Sequence, residues 1–454
     1  MRFLFAALVL VLSFAAPVSA QTIDTLAKNA YIVDFETGQV LLDKGGDERM
    51  PTSSMSKTMT MYLVFEGLKN GKLTLDQELP VSEKAWSTQG SKMFVPINSM
   101  VRVEDLIRGV IVQSGNDATI VLAEGMAGNE GEFAAALNVK AKELGMMNSH
   151  FVNASGWPDP DHYSTCHDLA ILAKALIMNF PEEYKYYSEK DFTYNNIKQG
   201  NRNPLLYKNI GADGIKTGHA EEAGYGLMGS AVRDGRRVIM VLNGMASMEE
   251  RASESTRLME WALATFANKN ILHAGMKVAD APVVMGMERS VPLIVQQDLK
   301  VTVPKMNTAG GATAQAVFKG PIEAPVTKGQ QVGVVRVTVP NMQPMELPIV
   351  AAKDIPRKGF FPALLEKTER LIFGDRVSAS SVSAPVTPVA EPAPVAVQAP
   401  AVIPAPTPAP VPVEAPPAAP VSTPAPAPAM DTLPEPPPAP VAAPATAPGE
   451  APTE

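Results

Sequence analysis

Residues 51–69 read PTSSMSKTMTMYLVFEGLK, and this stretch places a serine and a lysine three residues apart at the start of a predicted helix. Apolar side chains recur along it at steps of four, three, three and three residues, at Met55, Met59, Tyr62, Phe65 and Leu68. That spacing is typical of one face of an α-helix. Because residues three apart share a helix face, Lys57 is predicted to lie beside the hydroxyl of Ser54.

The Ser54–Lys57 pair suggests a nucleophile and its base. A serine alcohol is a poor nucleophile unless a neighbouring group accepts its proton. A lysine can accept that proton when burial or nearby positive charge lowers its pKa. Taken alone, however, a Ser-x-x-Lys motif is better explained by two solvated side chains on one helix face. Other parts of the chain must decide between these interpretations.

Two further motifs also occur once each. Ser114-Gly115-Asn116 stands between helical patterns at Val103–Gln113 and Asp117–Ala127, where a loop can direct a hydroxyl and an amide into a cleft. Lys216-Thr217-Gly218 lies on a predicted strand, Gly214–Gly218. An extended edge strand can align a peptide through main-chain hydrogen bonds. Its cation and hydroxyl can bind a carboxylate, and its glycine permits close approach.

The remaining patterns indicate a mixed α/β domain followed by short strands. Further elements are predicted at Ala30–Asp34 and Val40–Asp43 (strands), Glu132–Leu144 and Asp168–Asn179 (helices), Tyr225–Arg233 and Arg236–Asn243 (strands joined at Asp234-Gly235) and Glu249–Phe266 (helix). After about Ala274 only strand patterns follow, at Val291–Val295, Lys300–Val303, Ala314–Phe318, Gln331–Val339 and Leu347–Ala351. We therefore expect a catalytic domain over 21–268 and an all-β domain over 274–353.

The three motifs, in the order helix, loop and strand, resemble those of penicillin-binding proteins and class A β-lactamases. The surrounding segments LIRGV (106–110), QSGND (113–117) and DGIKTGH (213–219) resemble the low-molecular-mass D-alanyl-D-alanine carboxypeptidases. This resemblance covers about Thr25 to Ala351. It implies a serine β-lactamase/DD-peptidase-like catalytic domain, in which an antiparallel sheet packs with helices, then a small all-β domain and a disordered Pro/Ala-rich tail.

The resemblance also implies a role for each site residue. Ser54 would attack the carbonyl between two D-alanines of a peptidoglycan stem peptide and form an acyl-enzyme, and Lys57 would take its proton. Ser114 would relay a proton to the leaving amine, and Asn116 would hold a substrate backbone group. The other substrate-binding residues would be Lys216, Thr217, Gly218, His219 and Arg251, with Thr217 and Arg251 on the terminal carboxylate. The backbone N–H groups of Ser54 and His219 would form the oxyanion hole, and β-lactam antibiotics would acylate Ser54.

Two of these residues have plain structural alternatives. The ring of His219 is better explained as a support for strand geometry than as a catalytic group. Arg251 lies in the segment Glu249–Glu254, which resembles the family's corresponding segment only loosely. Its alternative is an ordinary charge on a helix surface.

Three other functions can be compared with the same motif residues. A class A β-lactamase pairs its motifs with Ser-Asp-Asn and a loop glutamate, whereas this chain has Gly115 and no glutamate in GWPDPDHY (156–163). A non-enzymatic wall-binding protein would not need Ser54 and Lys57 intact. A DD-endopeptidase that cuts cross-links with the same residues stays open, because its scissile bond resembles that of the carboxypeptidase.

The two ends of the chain differ from its middle. Residues 1–20, MRFLFAALVLVLSFAAPVSA, have the composition of a secretory signal peptide, which predicts an exported, periplasmic protein. Residues 377–454 hold 24 of the 42 prolines and have no aromatic residue, Lys or Arg, so we expect a disordered tail. Residues 358–374 have an amphipathic pattern that predicts a helix on the outer face of the inner membrane; the alternative is a helix packed on the β domain.

The charge, cysteine and histidine content of the chain indicates which cofactors and partners to expect. Removing the six acidic residues of the tail from the net charge of −8 leaves the rest near −2, and no basic patch indicates a nucleic-acid partner. Cys166 is the single cysteine and is explained as a small residue near a helix start. The five histidines do not stand at metal-ligand spacing, so no metal or other cofactor is expected.

Overall fold

The computed structural model of the protein describes residues 23–305, 312–340, 344–360 and 362, and the backbone of 381–386. All of these belong to one compact unit, Met1–Pro392. The predicted signal peptide, most of the predicted membrane-surface helix and nearly all of the predicted tail lie outside the described residues. Among the helices that are described, none has the length and hydropathy needed to cross a bilayer.

The first part of the chain alternates strands and helices. The strands are β1 (Asn29–Asp34), β2 (Val40–Lys44), β3 (Glu78–Pro80), β4 (Met100–Arg102), β5 (Asp191–Tyr194), β6 (Ile197–Gly200), β7 (Ala212–Ala220), β8 (Gly224–Arg233) and β9 (Arg236–Met245). The helices are α1 (Lys57–Lys69), α2 (Glu83–Ser87), α3 (Val103–Ile111), α4 (Asn116–Ala127), α5 (Glu130–Leu144), α6 (Cys166–Asn179) and α7 (Met248–Thr265). Short 3₁₀ helices cover Ser53–Ser56, Glu183–Ser188 and Pro204–Tyr207.

A five-stranded antiparallel sheet in the order β2-β1-β9-β8-β7 forms the centre of this part. Its central strand β9 is buried on both faces. Ile239 and Val241 join the larger hydrophobic core, and Val238, Met240 and Leu242 join a second one. The first core also contains α1, α3, α4 and α6, while the second contains α7. Side chains alternate between the two faces of a strand, so these two sets of β9 residues lie on opposite faces of the sheet. Each face therefore packs against helices. The predicted mixed α/β architecture is confirmed.

Helix α1 begins later than predicted. The predicted helix over Ser54–Lys69 divides into the 3₁₀ turn Ser53–Ser56 and the α-helix Lys57–Lys69. The reason is the backbone of Ser53, whose φ is +48°, so the turn that follows is closed by the tighter bond from Met55 N–H to the Thr52 carbonyl (3.1 Å). Ser54 therefore lies on the short turn, and Lys57 is the first residue of a helix that is buried along most of its length.

The second part is all-β, as predicted, but it begins earlier. Strand β10 (Phe266–Leu272) follows α7 directly, so the predicted boundary near Ala274 is late. The later strands are β11 (Lys277–Val284), β12 (Ser290–Val295), β13 (Leu299–Pro304), β14 (Thr313–Lys319), β15 (Ile322–Glu323), β16 (Gln331–Thr338), β17 (Met345–Ala351) and β18 (Ser381–Val386). β10 pairs with β13, and the other strands form a sheet in the order β15-β11-β12-β17-β16-β14-β18.

Strand β18 lies inside the range predicted as a disordered tail. Residues Ser381–Val386 pair antiparallel with β14 from Ala314 to Lys319. For these six residues the prediction is wrong. The open hydrogen-bonding edge of β14 accepts an extended segment through main-chain bonds, which need few large side chains.

Candidate active site

Ser54 and Lys57 are in direct contact. The Nζ of Lys57 donates to the Ser54 Oγ at 2.8 Å, to the Asn116 Oδ1 at 2.7 Å and to the Ser155 carbonyl at 2.8 Å. Lys57 is only 1% exposed, whereas Ser54 is half-buried and lines the cleft. The lysine is thus fixed on one side by protein acceptors and faces the serine hydroxyl on the other.

Burial sets the protonation of Lys57. Removing an ammonium from water disfavours its charged form, and this burial lowers the pKa of Lys57 to about 7. The positive charge of Arg202 lowers the pKa further, while the carboxylate of Asp117 acts in the opposite direction. A substantial fraction of Lys57 is therefore neutral near pH 7, which is the state that can accept a proton from Ser54.

The loop 153–157 supplies the Ser155 carbonyl that binds Lys57. The side chain of Asn153 shapes this loop, since its Oδ1 accepts from the backbone N–H groups of Ser155 (3.2 Å), Gly156 (2.8 Å) and Trp157 (3.0 Å). Gly156 has a φ of +77°, and a Cβ there would lie 1.8 Å from the Ser53 carbonyl oxygen. Only glycine lets the loop pack this closely against the turn that carries Ser54.

Ser114 and Lys216 form the facing polar wall. The Lys216 Nζ donates to the Ser114 Oγ at 2.9 Å, and the two side chains are 3% and 1% exposed. Ser114 has a φ of +59° in the loop between α3 and α4. Burial first, and then the charges of Lys57, Arg202 and Arg251, hold the pKa of Lys216 well below its usual value.

Asn116 opens helix α4 and is bonded at both ends of its amide. Its Oδ1 accepts from Lys57, and its Nδ2 donates to the Gln89 carbonyl at 2.7 Å. The backbone N–H of Asn116 also donates to the Ser91 carbonyl at 2.7 Å. Asn116 therefore ties Lys57 to the loop around Gln89, a contact that the motif alone does not predict. Its predicted contact with a substrate backbone group stays a prediction.

Strand β7 is the edge strand of the sheet and runs past the Ser54 turn. A Cβ on Gly218 would lie 2.7 Å from the Thr52 carbonyl oxygen, so the predicted close approach at this glycine involves the turn that carries Ser54. Thr217, on the same strand, is 5% exposed. The ring of His219 stacks on Tyr225 of β8 at 4.0 Å between centroids, which fits the structural alternative for this side chain.

Arg251 is not the surface charge that one interpretation allowed. It is 8% exposed, and its guanidinium lies over the Tyr225 ring at 5.5 Å from the centroid. Its Nε is buried without a hydrogen-bond partner among the described residues. The charge of Arg251 is close enough to Lys216 to lower the pKa of that lysine.

Comparison with known proteins agrees with this geometry. The model of the family described as D-alanyl-D-alanine carboxypeptidase matches residues 16–246, and that of the penicillin-binding protein 5 C-terminal domain matches residues 266–357. A D-alanyl-D-alanine carboxypeptidase of Haemophilus influenzae is 37% identical over 343 residues, 74% of this chain and 87% of the relative. The chain belongs to the D-alanyl-D-alanine carboxypeptidase family.

Solved structures support the same assignment for this carboxypeptidase. Penicillin-binding protein 5 from Haemophilus influenzae is similar with a TM-score of 0.67 at 36% identity, over 75% of this chain and all of that one. Penicillin-binding protein D2 from Listeria monocytogenes, in its cefotaxime-bound form, has a TM-score of 0.50 at 32% identity, over 53% of this chain and 98% of that one. The family and fold predicted from the sequence are confirmed, and so is the enzyme class, a serine peptidase.

The carboxypeptidase site also contains a cation that the sequence did not reveal. Arg202, which follows β6, donates to the Ser91 hydroxyl. Its positive charge lowers the pKa of Lys57. The repulsion between the two lysines contributes to the lowered pKa of Lys216. No motif surrounds Arg202, and only the folded chain brings it to the two lysines.

A buried histidine behind the turn that carries Ser54 was likewise missed in the sequence. The Nε2 of His162 lies 2.8 Å from the Ser56 Oγ, which in turn lies 2.5 Å from the Thr52 Oγ1. Burial lowers the pKa of His162 to about 4, so the ring is neutral at ordinary pH. His162 supports the turn that carries Ser54 without reaching the cleft. Within the described residues, no cluster of three or more His, Cys, Asp or Glu side chains could hold a metal ion.

Proposed function

We propose that Ser54 attacks the carbonyl between the last two D-alanines of a peptidoglycan stem peptide and that Lys57 takes its proton. One observation carries this proposal: the 2.8 Å contact from the Lys57 Nζ to the Ser54 Oγ, made by a buried lysine whose pKa is about 7. General bases are most effective when their pKa lies near the working pH.

The first step forms an ester between the Ser54 Oγ and the carbonyl carbon of the penultimate D-alanine. The peptide bond breaks, and the terminal D-alanine leaves after its amine gains a proton relayed through Ser114. Ser114 suits this role because it accepts a hydrogen bond from Lys216 at 2.9 Å and keeps its own O–H to donate. Water then hydrolyses the ester, which restores the Ser54 hydroxyl and releases the shortened peptide.

The terminal carboxylate of the substrate is proposed to lie at Lys216, Thr217 and Arg251. This end of the cleft collects positive charge in a buried setting, as the lowered pKa of Lys216 reflects. An incoming carboxylate would favour the charged form of Lys216 and would raise its pKa again. A peptide ending in a free carboxylate is therefore preferred over one ending in an amide.

β-Lactams are proposed to acylate the same serine. The similar Listeria protein has been solved in a cefotaxime-bound form, and the same nucleophile, base and carboxylate site serve both reactions. The composition of residues 1–20 further supports export to the periplasm, where stem peptides lie. The amphipathic pattern of residues 359–373 supports a peripheral contact with the membrane surface.

The test compares the wild-type protein with Ser54→Ala and with Ser188→Ala, an exposed serine that does not line the cleft. D-Alanine release from a pentapeptide and covalent labelling by a fluorescent penicillin should vanish in Ser54→Ala and persist in Ser188→Ala. Mass spectrometry should place the penicilloyl group on Ser54. Labelling that persists in Ser54→Ala would overturn the assignment. Fast turnover of the penicillin would instead favour a β-lactamase, and cleavage of a cross-linked peptide dimer would favour an endopeptidase.

A further inference from the structure

The segment 86–100, which runs from the end of α2 to the start of β4, borders the catalytic cleft. Two of its residues, Gly90 and Ser91, line that cleft. Asn116 fixes them there, since its Nδ2 donates to the Gln89 carbonyl and its backbone N–H donates to the Ser91 carbonyl, both at 2.7 Å. The position of the segment is therefore set from within the active site.

Large apolar side chains are exposed on both sides of these two cleft residues. Trp86 is 45% exposed and Phe94 is 48% exposed. The segment also exposes Ile97 and Met100. Trp86 precedes the cleft-lining pair by four residues and Phe94 follows it by three. Because an extended chain spans at most about 3.6 Å per residue, the Cα atom of each aromatic residue lies within about 14 Å of the cleft.

A buried carboxylate holds Phe94 in its exposed position. The φ of Phe94 is +67°, a left-handed conformation that a bulky residue rarely adopts. Asp117 is fully buried, and its two oxygens accept from the backbone N–H groups of Met93 (2.9 Å), Phe94 (2.8 Å) and Val95 (3.2 Å). Met93 and Val95 are themselves buried, so the strained residue between them is the one that faces solvent. Strain of this kind is concentrated at sites that bind a ligand or carry out chemistry.

The two exposed rings have surface available for a ligand. Within the part of the chain that the structure describes, neither ring stacks on another aromatic ring or lies under a cation, and the indole N–H of Trp86 has no hydrogen-bond partner. The segment contains a single charged side chain, Lys92, which donates to the Trp86 carbonyl. The segment thus offers two half-exposed rings, one free N–H and little charge.

This combination fits an uncharged carbohydrate. The face of an aromatic ring is negative, so it attracts the C–H groups on the face of a sugar ring, while the free indole N–H can donate to a sugar hydroxyl. In peptidoglycan the stem peptide is attached to such sugars. Three residues of a pentapeptide stem separate the two D-alanines from the sugar, which is about 10 Å of extended chain. The sugar is therefore within reach of the segment when the peptide lies in the cleft.

We propose that the segment 86–100 binds the sugar chain of peptidoglycan through Trp86 and Phe94 while the attached stem peptide occupies the cleft. This inference rests on the proposed function. The sugar adds contacts that a free peptide lacks, and these contacts are made equally before and during the reaction at Ser54. A sugar-linked stem peptide should therefore have a lower KM than the free peptide and a similar kcat.

The test compares a free pentapeptide with the same pentapeptide attached to the disaccharide of N-acetylglucosamine and N-acetylmuramic acid. In the wild-type protein, kcat/KM should be roughly tenfold higher for the sugar-linked substrate, the size expected for two added aromatic contacts. Trp86→Ala and Phe94→Ala should each reduce this ratio to roughly threefold, and the double variant should reduce it to about one. Trp86→Tyr and Phe94→Tyr keep a ring and should retain most of the ratio.

The ratio is the readout, because a loss of folding or of Ser54 reactivity slows both substrates alike. Met178→Ala removes an exposed apolar side chain of α6, outside the segment and the cleft, and should leave the ratio unchanged. A ratio of one in the wild-type protein, or a tenfold ratio in the double variant, would overturn this inference and leave the proposed function standing. So would an unchanged ratio together with lost binding to phosphatidylglycerol vesicles, which would assign the segment to a membrane surface. Failure to release D-alanine from either substrate would overturn both.

Discussion

The Nζ of Lys57 lies 2.8 Å from the Oγ of Ser54, on a side chain that is almost completely buried. Two protein oxygens, from Asn116 and Ser155, accept its other hydrogen bonds. These contacts fix the position of the amine, while burial removes the water that would keep it charged. The geometry thus joins correct placement with a pKa near neutrality, and a general base needs both.

The acylation rate of Ser54 should rise with pH through about 7. Below the pKa of Lys57, the amine is protonated and cannot accept the serine proton; above it, the neutral amine predominates. The midpoint belongs to Lys57 and Lys216 together, because the two buried lysines affect each other. The rate of labelling by a fluorescent penicillin between pH 5 and 9 measures it. A rate that falls steadily over this range would contradict the assignment.

Lys57→Arg should lower the acylation rate by roughly 10²–10⁴-fold, the usual loss for a general base. The substitution keeps the positive charge and roughly the length of the side chain, but a guanidinium does not lose its proton. Circular dichroism and thermal melting should show that the variant still folds. Near-normal acylation by a folded Lys57→Arg protein would exclude this lysine as the base.

The sequence predicted the parts of the site that lie within short motifs. Ser54 and Lys57 follow from helical spacing, and Lys216 and Thr217 lie on a strand with a recognisable pattern. The missing parts come from distant segments: the Ser155 carbonyl has no side-chain signature, and Arg202 approaches the lysines only after β6 and the preceding loop are folded. The 3₁₀ turn was also missed, because it depends on the φ of Ser53 and on the packing of Gly156.

His162 should make the stability of the protein depend on acidic pH. Its pKa is about 4 in the folded protein and 6.5 in the unfolded chain, so between these values only the unfolded chain binds the proton. The free energy of unfolding should therefore fall as pH drops from 6.5 to 4, by roughly 3 kcal/mol for a shift of this size. His162→Gln should flatten this part of the stability curve, measured by urea unfolding. An unchanged slope in His162→Gln would mean that other groups cause the dependence on acidic pH.

Gly156→Ala should both destabilise the protein and slow acylation. The new Cβ would lie 1.8 Å from the Ser53 carbonyl oxygen and would push on the turn that carries Ser54. Gly38→Ala is a matched control, since Gly38 has a similar φ of +72° but nothing within 4 Å of an added Cβ. The control should lose about 1–2 kcal/mol from backbone strain alone, without an effect on acylation. Equal melting temperatures for the two variants would show that the loop yields to the clash.

Two truncations should separate β18 from the rest of the tail. Ending the chain after Val386 keeps the strand that pairs with β14, so the melting temperature should not change. Ending it after Arg376 removes six residues of main-chain pairing and exposes the edge of β14, and the melting temperature should fall by several degrees. Scanning calorimetry of both proteins measures the difference. Identical melting temperatures would mean that β18 adds no stability to the β domain.

Arg251→Gln should weaken the reaction with peptides that end in a free carboxylate. The Nε of the buried guanidinium has no hydrogen-bond partner among the residues that the structure describes. Because Arg251 lies within electrostatic reach of Lys216, a substrate carboxylate bound near Lys216 would gain a second charged partner. Losing one member of such a buried pair typically costs 2–5 kcal/mol, which predicts a decrease of at least about thirtyfold in kcat/KM. A peptide that ends in a carboxamide should react slowly with both proteins and at nearly the same rate.

Arg257→Gln, on the same helix but paired with Glu254, is the control and should keep the preference for the carboxylate. An equal loss for both peptides in Arg251→Gln would mean that Arg251 supports the fold through Tyr225 and does not bind the substrate.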